Sequence, residues 1–409
     1  MAAAPPTITM SQESKDLGAF YVPQFELRIE GVGLPRDVLR DVREVTYNDS
    51  IDEVDGFQIT VNNWDPEKRD YKYIGSETHE SLAGTSDESE RQRLFDPCNK
   101  QVELWMGYAD KLQLMMRGIF VSLTPNFPSS GGPTLTVGAL NLLHRFRGEK
   151  HTKVWEQKRP SEIAAEFTLS NPATKTELKV VPDPNFEDRE TKLPYLMQDS
   201  QYDLTFLMSL ARRNGYVLVL EEEGIDERGN FHPAQVYFGP SNGTGIRQAT
   251  VQLGWGSSLM EFKPTLSTAN QIKSVTVRGW NRDTKQAING VAEISDEDIN
   301  FNGDLKHLLD VCDPHDEQVV NEPVFTPEEA KNRAKYILLN RFRDMVTASA
   351  TTVGVPDIRA GRNVIINGIG SRFSGNYFVT KTTHTMGDGG YTTEFEARRE
   401  DPDQGGQHG

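Results

Sequence analysis

The sequence predicts an α+β, mainly β protein, with two β domains flanking a small mixed insert. Three observations lead there. Short runs near both ends alternate apolar with polar residues, as at Phe25, Leu27 and Ile29 and at Phe57, Ile59 and Val61, which is the two-residue period of half-buried strands. In the middle the period becomes helical, with Leu204, Leu207, Met208 and Ala211 on one face. The chain has 409 residues, long enough for several domains that need no disulfide or metal to fold.

Residues 1–19 are rich in Ala, Pro, Thr and Ser and read as a flexible arm. Residues 21–150 then read as one antiparallel β domain. Val102, Leu104 and Met106 alternate, Leu112–Leu123 and Leu135–Leu140 are apolar runs of strand length, and Pro125, Pro128 and Gly131-Gly-Pro133 break them. The interval 65–96 is charged and has no apolar period, so it predicts a projecting loop insertion.

Residues 151–245 read as an α+β insert. A short helix is expected at Ser161–Phe167 after Pro160, and a second at 203–214. Arg212 and Arg213 suit the negative end of the second helix, and Gly215 is placed to cap it. Tyr216–Leu220 follows as a strand, runs into the acidic turn Glu221-Glu-Glu223, and pairs with Val236–Phe238. Residues 250–400 return to β structure, with strands at Ile272–Trp280, Val346–Val353, Asn363–Ile369, Tyr377–Thr385 and Tyr391–Arg398. A long helix over 327–343 interrupts them. Thr326-Pro-Glu-Glu329 supplies an N-cap, a first-turn proline and a capping-box acid, and Ala330, Ala334, Ile337, Leu338 and Phe342 form its stripe. Residues 401–409 are a polar tail.

Sixty acidic and 44 basic residues leave a formal charge of −16, which repels phosphate backbones and argues against nucleic-acid binding as the main role. Cys98 and Cys312 cannot build a disulfide framework or a four-cysteine zinc site. The N-terminus has no basic and apolar regions of a secretion signal, and no window reaches the ~20 apolar residues of a membrane span. The expectation is a protein made in a cytoplasm.

No constellation argues for an enzyme, a metal or a cofactor. Gly239-Pro-Ser-Asn-Gly243 fits a hydrolase elbow, but Thr244-Gly245-Ile246 does not start the helix an elbow needs, so it reads as a turn. Asp298-Ile-Asn-Phe-Asn-Gly303 matches half of a calcium loop, yet Leu309 stands where a bidentate Glu belongs and Asp310 comes one place late. Cys312-Asp-Pro-His315 has two ligand types and no second pair. Gly254-Trp-Gly256 and Gly368-Ile-Gly370 lack the third glycine of a phosphate loop. Arg359, Arg362 and Arg372, spaced among glycines, read as solvated turn arginines in preference to an anion-binding patch. From the residues alone the chain is a scaffold or binding protein.

A series of segments stands out: Tyr21-Val-Pro-Gln-Phe-Glu-Leu, Leu94-Phe-Asp-Pro-Cys-Asn-Lys-Gln-Val-Glu-Leu-Trp-Met-Gly-Tyr108, the run from Gly118-Ile-Phe through Val137, Tyr202-Asp-Leu-Thr-Phe-Leu-Met-Ser-Leu-Ala-Arg-Arg-Asn-Gly-Tyr216, Ile358-Arg-Ala-Gly361, Gly368–Thr380 and Gly390-Tyr-Thr-Thr-Glu-Phe395. Together they resemble the phage late control gene D family of contractile-tail baseplate hubs, and the N-terminal hub region of VgrG proteins. They occur in the family's order over most of 21–398, and Cys98 departs where glycine is expected.

The resemblance implies two tail-tube-like β-barrel domains and a homotrimer that adapts a hexameric inner tube protein to a trimeric spike protein. It also implies a central channel for DNA or effectors, contacts with wedge or tube-adaptor components, and incorporation into a phage tail or injection particle. The chain lacks an OB or β-helix segment after 400, so the spike is expected as a separate polypeptide. Part of the −16 charge is expected to line the channel, and the 65–96 loop to contact a neighbouring baseplate component. The alternatives are a tail-associated carbohydrate-binding β protein, using Trp64, Tyr71 and Tyr73, and a carboxylate hydrolase.

Overall fold

The computed structural model describes residues 7–9, 22–75, 91–97, 100–109, 111–171, 176–185, 190–225, 231–241, 250–281, 284–294, 311–312 and 315–399. The chain is mainly β, with large sheets. Its first strands are β1 (Thr7–Thr9), β2 (Pro23–Ile29) and β3 (Val32–Gly33), followed by helix α1 (Arg36–Asp41). Next come β4 (Val42–Ser50), β5 (Gly56–Asn62), the two-residue pair β6 (Trp64–Asp65) and β7 (Asp70–Tyr71), then β8 (Gln101–Tyr108), β9 (Lys111–Asn126) and β10 (Thr134–Asn141). Period-two burial marks these strands: Val45, Tyr47 and Asp49 of β4 are buried while Thr46, Asn48 and Ser50 between them are not.

The middle of the chain forms smaller sheets. β11 (Lys150–Lys158) precedes helix α2 (Pro160–Ala164), β12 (Thr168–Asn171) and β13 (Thr176–Pro182). β14 (Leu193–Tyr202) pairs with β11 and leads into helix α3 (Asp203–Arg213). β15 (Tyr216–Glu221), the pair β16 (Gly224–Ile225) and β17 (Phe231–His232), and β18 (Gln235–Pro240) complete it, with Leu218 opposite Phe238 between β15 and β18. Gly215 follows α3 with φ of 69°, a left-handed turn that suits glycine. Helix α3 buries Phe206 and Leu210 beside the expected Leu204, Leu207 and Ala211, while Met208 is only partly covered.

The last part begins with β19 (Thr250–Gly254) and β20 (Leu259–Leu266). A three-stranded sheet of β21 (Ile272–Asn281), β22 (Gln286–Glu293) and β23 (His315–Val319) packs against helix α4 (Pro327–Arg343). At Gly290 of β22 an added Cβ would lie 2.2 Å from the Ala330 backbone, so glycine lets the helix approach. Strands β24 (Val346–Val353), β25 (Asn363–Asn367), β26 (Gly375–Gly387) and β27 (Gly390–Arg398) end the fold. Thr326 caps α4 through Glu329 N at 3.1 Å. The expected return bond goes elsewhere: Glu329 Oε2 accepts from Phe325 N at 2.9 Å, and Oε1 meets Arg213 of α3 at 2.9 Å.

Among the described residues the main sheet has 14 strands and one order written twice. On one side the neighbours run β4, β5, β10, β9, β8, β2; on the other they run β20, β24, β27, β26, β25, β19. Each set uses its strands in the same chain order, and all steps are antiparallel except β19 on β25, which is parallel. The two sets join where β26 pairs with β4, with Lys381 opposite Ser50 and Gly387 opposite Glu44. Separate apolar cores lie under the two sets, one containing Leu27, Phe57, Met106 and Phe120 and the other Val277, Leu338, Ile366 and Phe395.

One expectation changes here. Within the arm expected to be flexible, Thr7–Thr9 adds a parallel strand to β19. Of the expected loop insertion 65–96, residues 76–90 lie outside the described residues, and the ends on either side are held where Tyr73 and Phe95 pack at 5.2 Å inside the first core. The 401–409 tail lies outside the described residues.

A polar sheet face and a buried ionic joint as candidate functional site

Alternation places one face of eight consecutive strands outside both cores. Across the β26–β4 step the outward residues form unbroken rungs. One rung runs Glu261, Thr351, Glu394, Thr383, Asn48 from β20 to β4. The next runs Lys263, Ser349, Glu396, Lys381, Ser50. On the other side Glu44, Thr60, Thr136 and Thr124 continue from β4 to β9. The face is half-buried to exposed, and threonine, serine and asparagine dominate it. Its carboxylates Glu44, Glu261, Glu394 and Glu396 stand against Lys263, Lys381 and Arg398. The charge is therefore nearly balanced, in contrast to the whole chain. Two shallow concavities of about 420 and 440 Å³ lie on it, one over Lys381, Glu394 and Glu396 and one over Glu44, Thr60 and Thr385. Its threonine, serine and asparagine side chains present hydrogen-bonding groups over a wide open face, and Thr46 donates to Glu44 on it at 3.4 Å.

Beneath this face an ionic joint ties the two strand sets together. Arg359, from the turn before β25, reaches Asp49 of β4 with Nε at 2.5 Å and the Met115 carbonyl with Nη2 at 2.9 Å; Nη2 also meets the Tyr47 hydroxyl. Thr382 of β26 donates to Asp49 Oδ1, which also accepts from Ala360 N at 3.2 Å. Burial pushes the Asp49 carboxyl up, but the Arg359 guanidinium and the Thr382 hydrogen bond outweigh it, so it is held below its ordinary range. Among the described residues neighbouring Asp55 has no such cation in contact, only the more distant charge of Arg359. Burial and the Asp49 charge push it up to about 8, while its oxygens accept from Ser50 N at 3.1 Å and Asn141 Nδ2 at 2.8 Å. Burial lowers His384 to about 4, so the ring is neutral at pH 7 and bonds the Ile358 carbonyl, Tyr391 and Thr393.

A second joint docks the middle segment. The acidic turn after β15 meets Arg117 of β9, with Glu223 at 2.6 Å and the Arg117 backbone N–H on Glu222 at 2.9 Å. Burial pushes Glu222 up to about 7, and among the described residues its Oε2 has no hydrogen-bond partner.

These arrangements revise the candidate residues. Arg359 is neither a solvated turn arginine nor an anion site, since it is committed to a buried carboxylate; Arg362 contacts Asp357, and Arg372 is exposed. Tyr73 is buried with its hydroxyl on Asp41 at 2.7 Å, which removes it from any glycan surface. Trp64 and Tyr71 remain half-buried and stack edge-on, with Tyr71 also against Phe127. Ser241 is buried just after β18, and the residues that follow it from 242 lie outside the described residues. So do Asp298–Gly303 and Cys98. Cys312 and His315 are exposed. Among the described residues no group of three or more His, Cys, Asp or Glu could hold a metal ion, and no helix is long and apolar enough to cross a membrane. The ionic joint was not legible beforehand, because it joins residues some 310 positions apart. The only local hint was a charged residue, Asp49, at an inward position of an alternating strand.

Comparison with solved structures identifies the fold. The chain is similar to the 43 kDa tail protein of prophage MuSo2 from Shewanella oneidensis, with TM-score 0.59 and 13% identity over 93% of this chain and 99% of that one. It is equally similar to a tail protein from Neisseria meningitidis, with TM-score 0.59 and 13% identity over 93% and 97%. An Escherichia coli type VI secretion component, described as structurally similar to bacteriophage T4 tail proteins, matches with TM-score 0.53 and 10% identity over 94% and 79%. No curated protein matches the sequence. Residues 22–388, most of the chain, match the family described as the Alg8 N-terminal domain. The fold is thus one shared with phage-tail and type VI secretion proteins, and the chain belongs to the Alg8 N-terminal domain family.

Proposed function

We propose that the chain is a structural hub of a contractile-tail or injection-system baseplate, similar to late control gene D proteins and the N-terminal region of VgrG. It acts without catalysis. Three copies meet a six-fold inner tube on one side and the spike on the other. The observation that carries this reading is the twice-written strand order, because a chain with two like sheet segments offers six in a trimer. On this reading 21–150 and 250–400 are the two tube-like units, 151–245 is the insert between them, and the polar face lines the channel. On this reading the lining is hydroxylated and nearly charge-balanced, and Glu44, Glu261, Glu394 and Glu396 are the acids that would face the channel. Partners are other copies of the chain, the tube and spike proteins, and neighbouring baseplate components, in a particle assembled in a bacterial cytoplasm. Co-expression with candidate tube and spike proteins, followed by imaging, tests the reading: a three-copy ring between tube and spike is expected, and a chain bound to neither would overturn it.

A further inference from the structure

The sheet contains one filled strand junction and two half-open edges that match it. Strand β26 is long, and one of its edges is shared. Residues 375–378 pair with β25, and residues 381–387 pair with β4. In the other set β9 holds the same place. Residues 111–119 pair with β8 on that edge, and residues 120–126 have no strand partner there among the described residues. Likewise β4, which fills the β26 edge, corresponds to β20. Strand β20 pairs with β24 on one side, and beyond the Trp255–Leu259 bridge it has no strand on the other among the described residues.

We infer that β20 of one copy pairs with the 120–126 edge of β9 in the next, repeating between chains the β4–β26 junction found within each chain. This rests on the hub reading and specifies its self-contact. The two edges are different surfaces, so the contact is head-to-tail, which forms a ring where the rotation between copies closes. Both edges leave apolar residues half-covered: Val121 and Leu123 on β9, Phe262 and Leu266 on β20. Pairing would cover them and carry the polar face from Thr124 to Lys263 without a break. Pro264 withholds one backbone donor, and Lys263 is charged, two features that keep an edge strand from joining unintended partners.

Cysteine cross-linking in the full chain, with Cys98 and Cys312 replaced by serine, tests this. Ser122→Cys, Thr124→Cys and Asn126→Cys are each combined with Lys263→Cys and treated with a short bismaleimide, so that a register offset does not decide the result. Native mass is measured in parallel. Asn48→Cys with Thr383→Cys, opposite each other in the internal junction, serves as a control that closes within one chain. At least one β9–β20 pair is expected to give covalent multimers that are lost in either single variant. Three-copy native mass without any such cross-link would overturn the pairing and leave the hub reading standing. A monomer throughout would overturn both.

Discussion

Arg359 and Asp49 stand 310 positions apart and meet at 2.5 Å, inside the step where the two strand sets become one sheet. Each is nearly enclosed, and each is satisfied by further bonds, so the pair holds charge that neither residue could keep alone. Its position links stability to architecture: the sheet is continuous across this step, and the joint lies just under it.

Removing one partner should be severe. Arg359→Met leaves Asp49 buried without its cation, an effect of ~3–5 kcal/mol by analogy with other buried pairs. Thermal unfolding should show a large fall in Tm. Replacing both residues with apolar ones should cost less than Arg359→Met alone, and a larger loss in the double variant would contradict the account.

The joint also predicts a loss of stability as pH rises through the neutral range. Burial and the Asp49 charge push folded Asp55 up to about 8, whereas an ordinary unfolded aspartate titrates near ~3.9. The folded state binds this proton more tightly, so the contribution is full below the unfolded value and is lost as pH rises towards 8. Glu222, raised to about 7, acts in the same direction. Neutral His384 acts oppositely, losing stability as pH falls from ~6.5 towards 4. Asp55→Asn should therefore flatten the decline in unfolding free energy between about pH 6 and 8. An unchanged slope would show that Asp55 is ionised in the folded protein.

Gly290→Ala should separate the three-stranded sheet from α4, since the new methyl meets the Ala330–Lys331 backbone at 2.2 Å. Overpacking of this kind costs about 1–3 kcal/mol. Faster amide exchange should follow in 272–293 and 327–343, with the β4–β5 region unaffected.

Arg117→Ala removes the cation facing Glu103 and Glu223. Because these groups are partly exposed, a loss of about 1 kcal/mol or less in global stability is expected. The sensitive readout is local: protease cleavage near 221–225 should rise while the melting curve barely moves.

Much of this architecture is written in local pattern. Val346–Val353 forms as its alternation predicts, and α4 begins at the proline after Thr326 because cap and first-turn signals lie within four residues of each other. The β11–β14 ribbon was not legible, since β11 exposes every residue from Lys150 to Val154 and shows no period. Nor was Tyr73, whose apolar ring lies in a charged stretch and is fixed by Asp41 and Phe95 from elsewhere in the chain. The repeat of strand order was hidden for a different reason. Its two copies share topology, and the second carries β21–β23 and α4 inserted between β20 and β24.

The most direct test of the central claim is the mass of the native complex, measured for the chain alone and co-expressed with its candidate spike. Three copies, joined to a spike trimer in the second sample, are the predicted result. A chain that stays monomeric in both samples would contradict the hub reading.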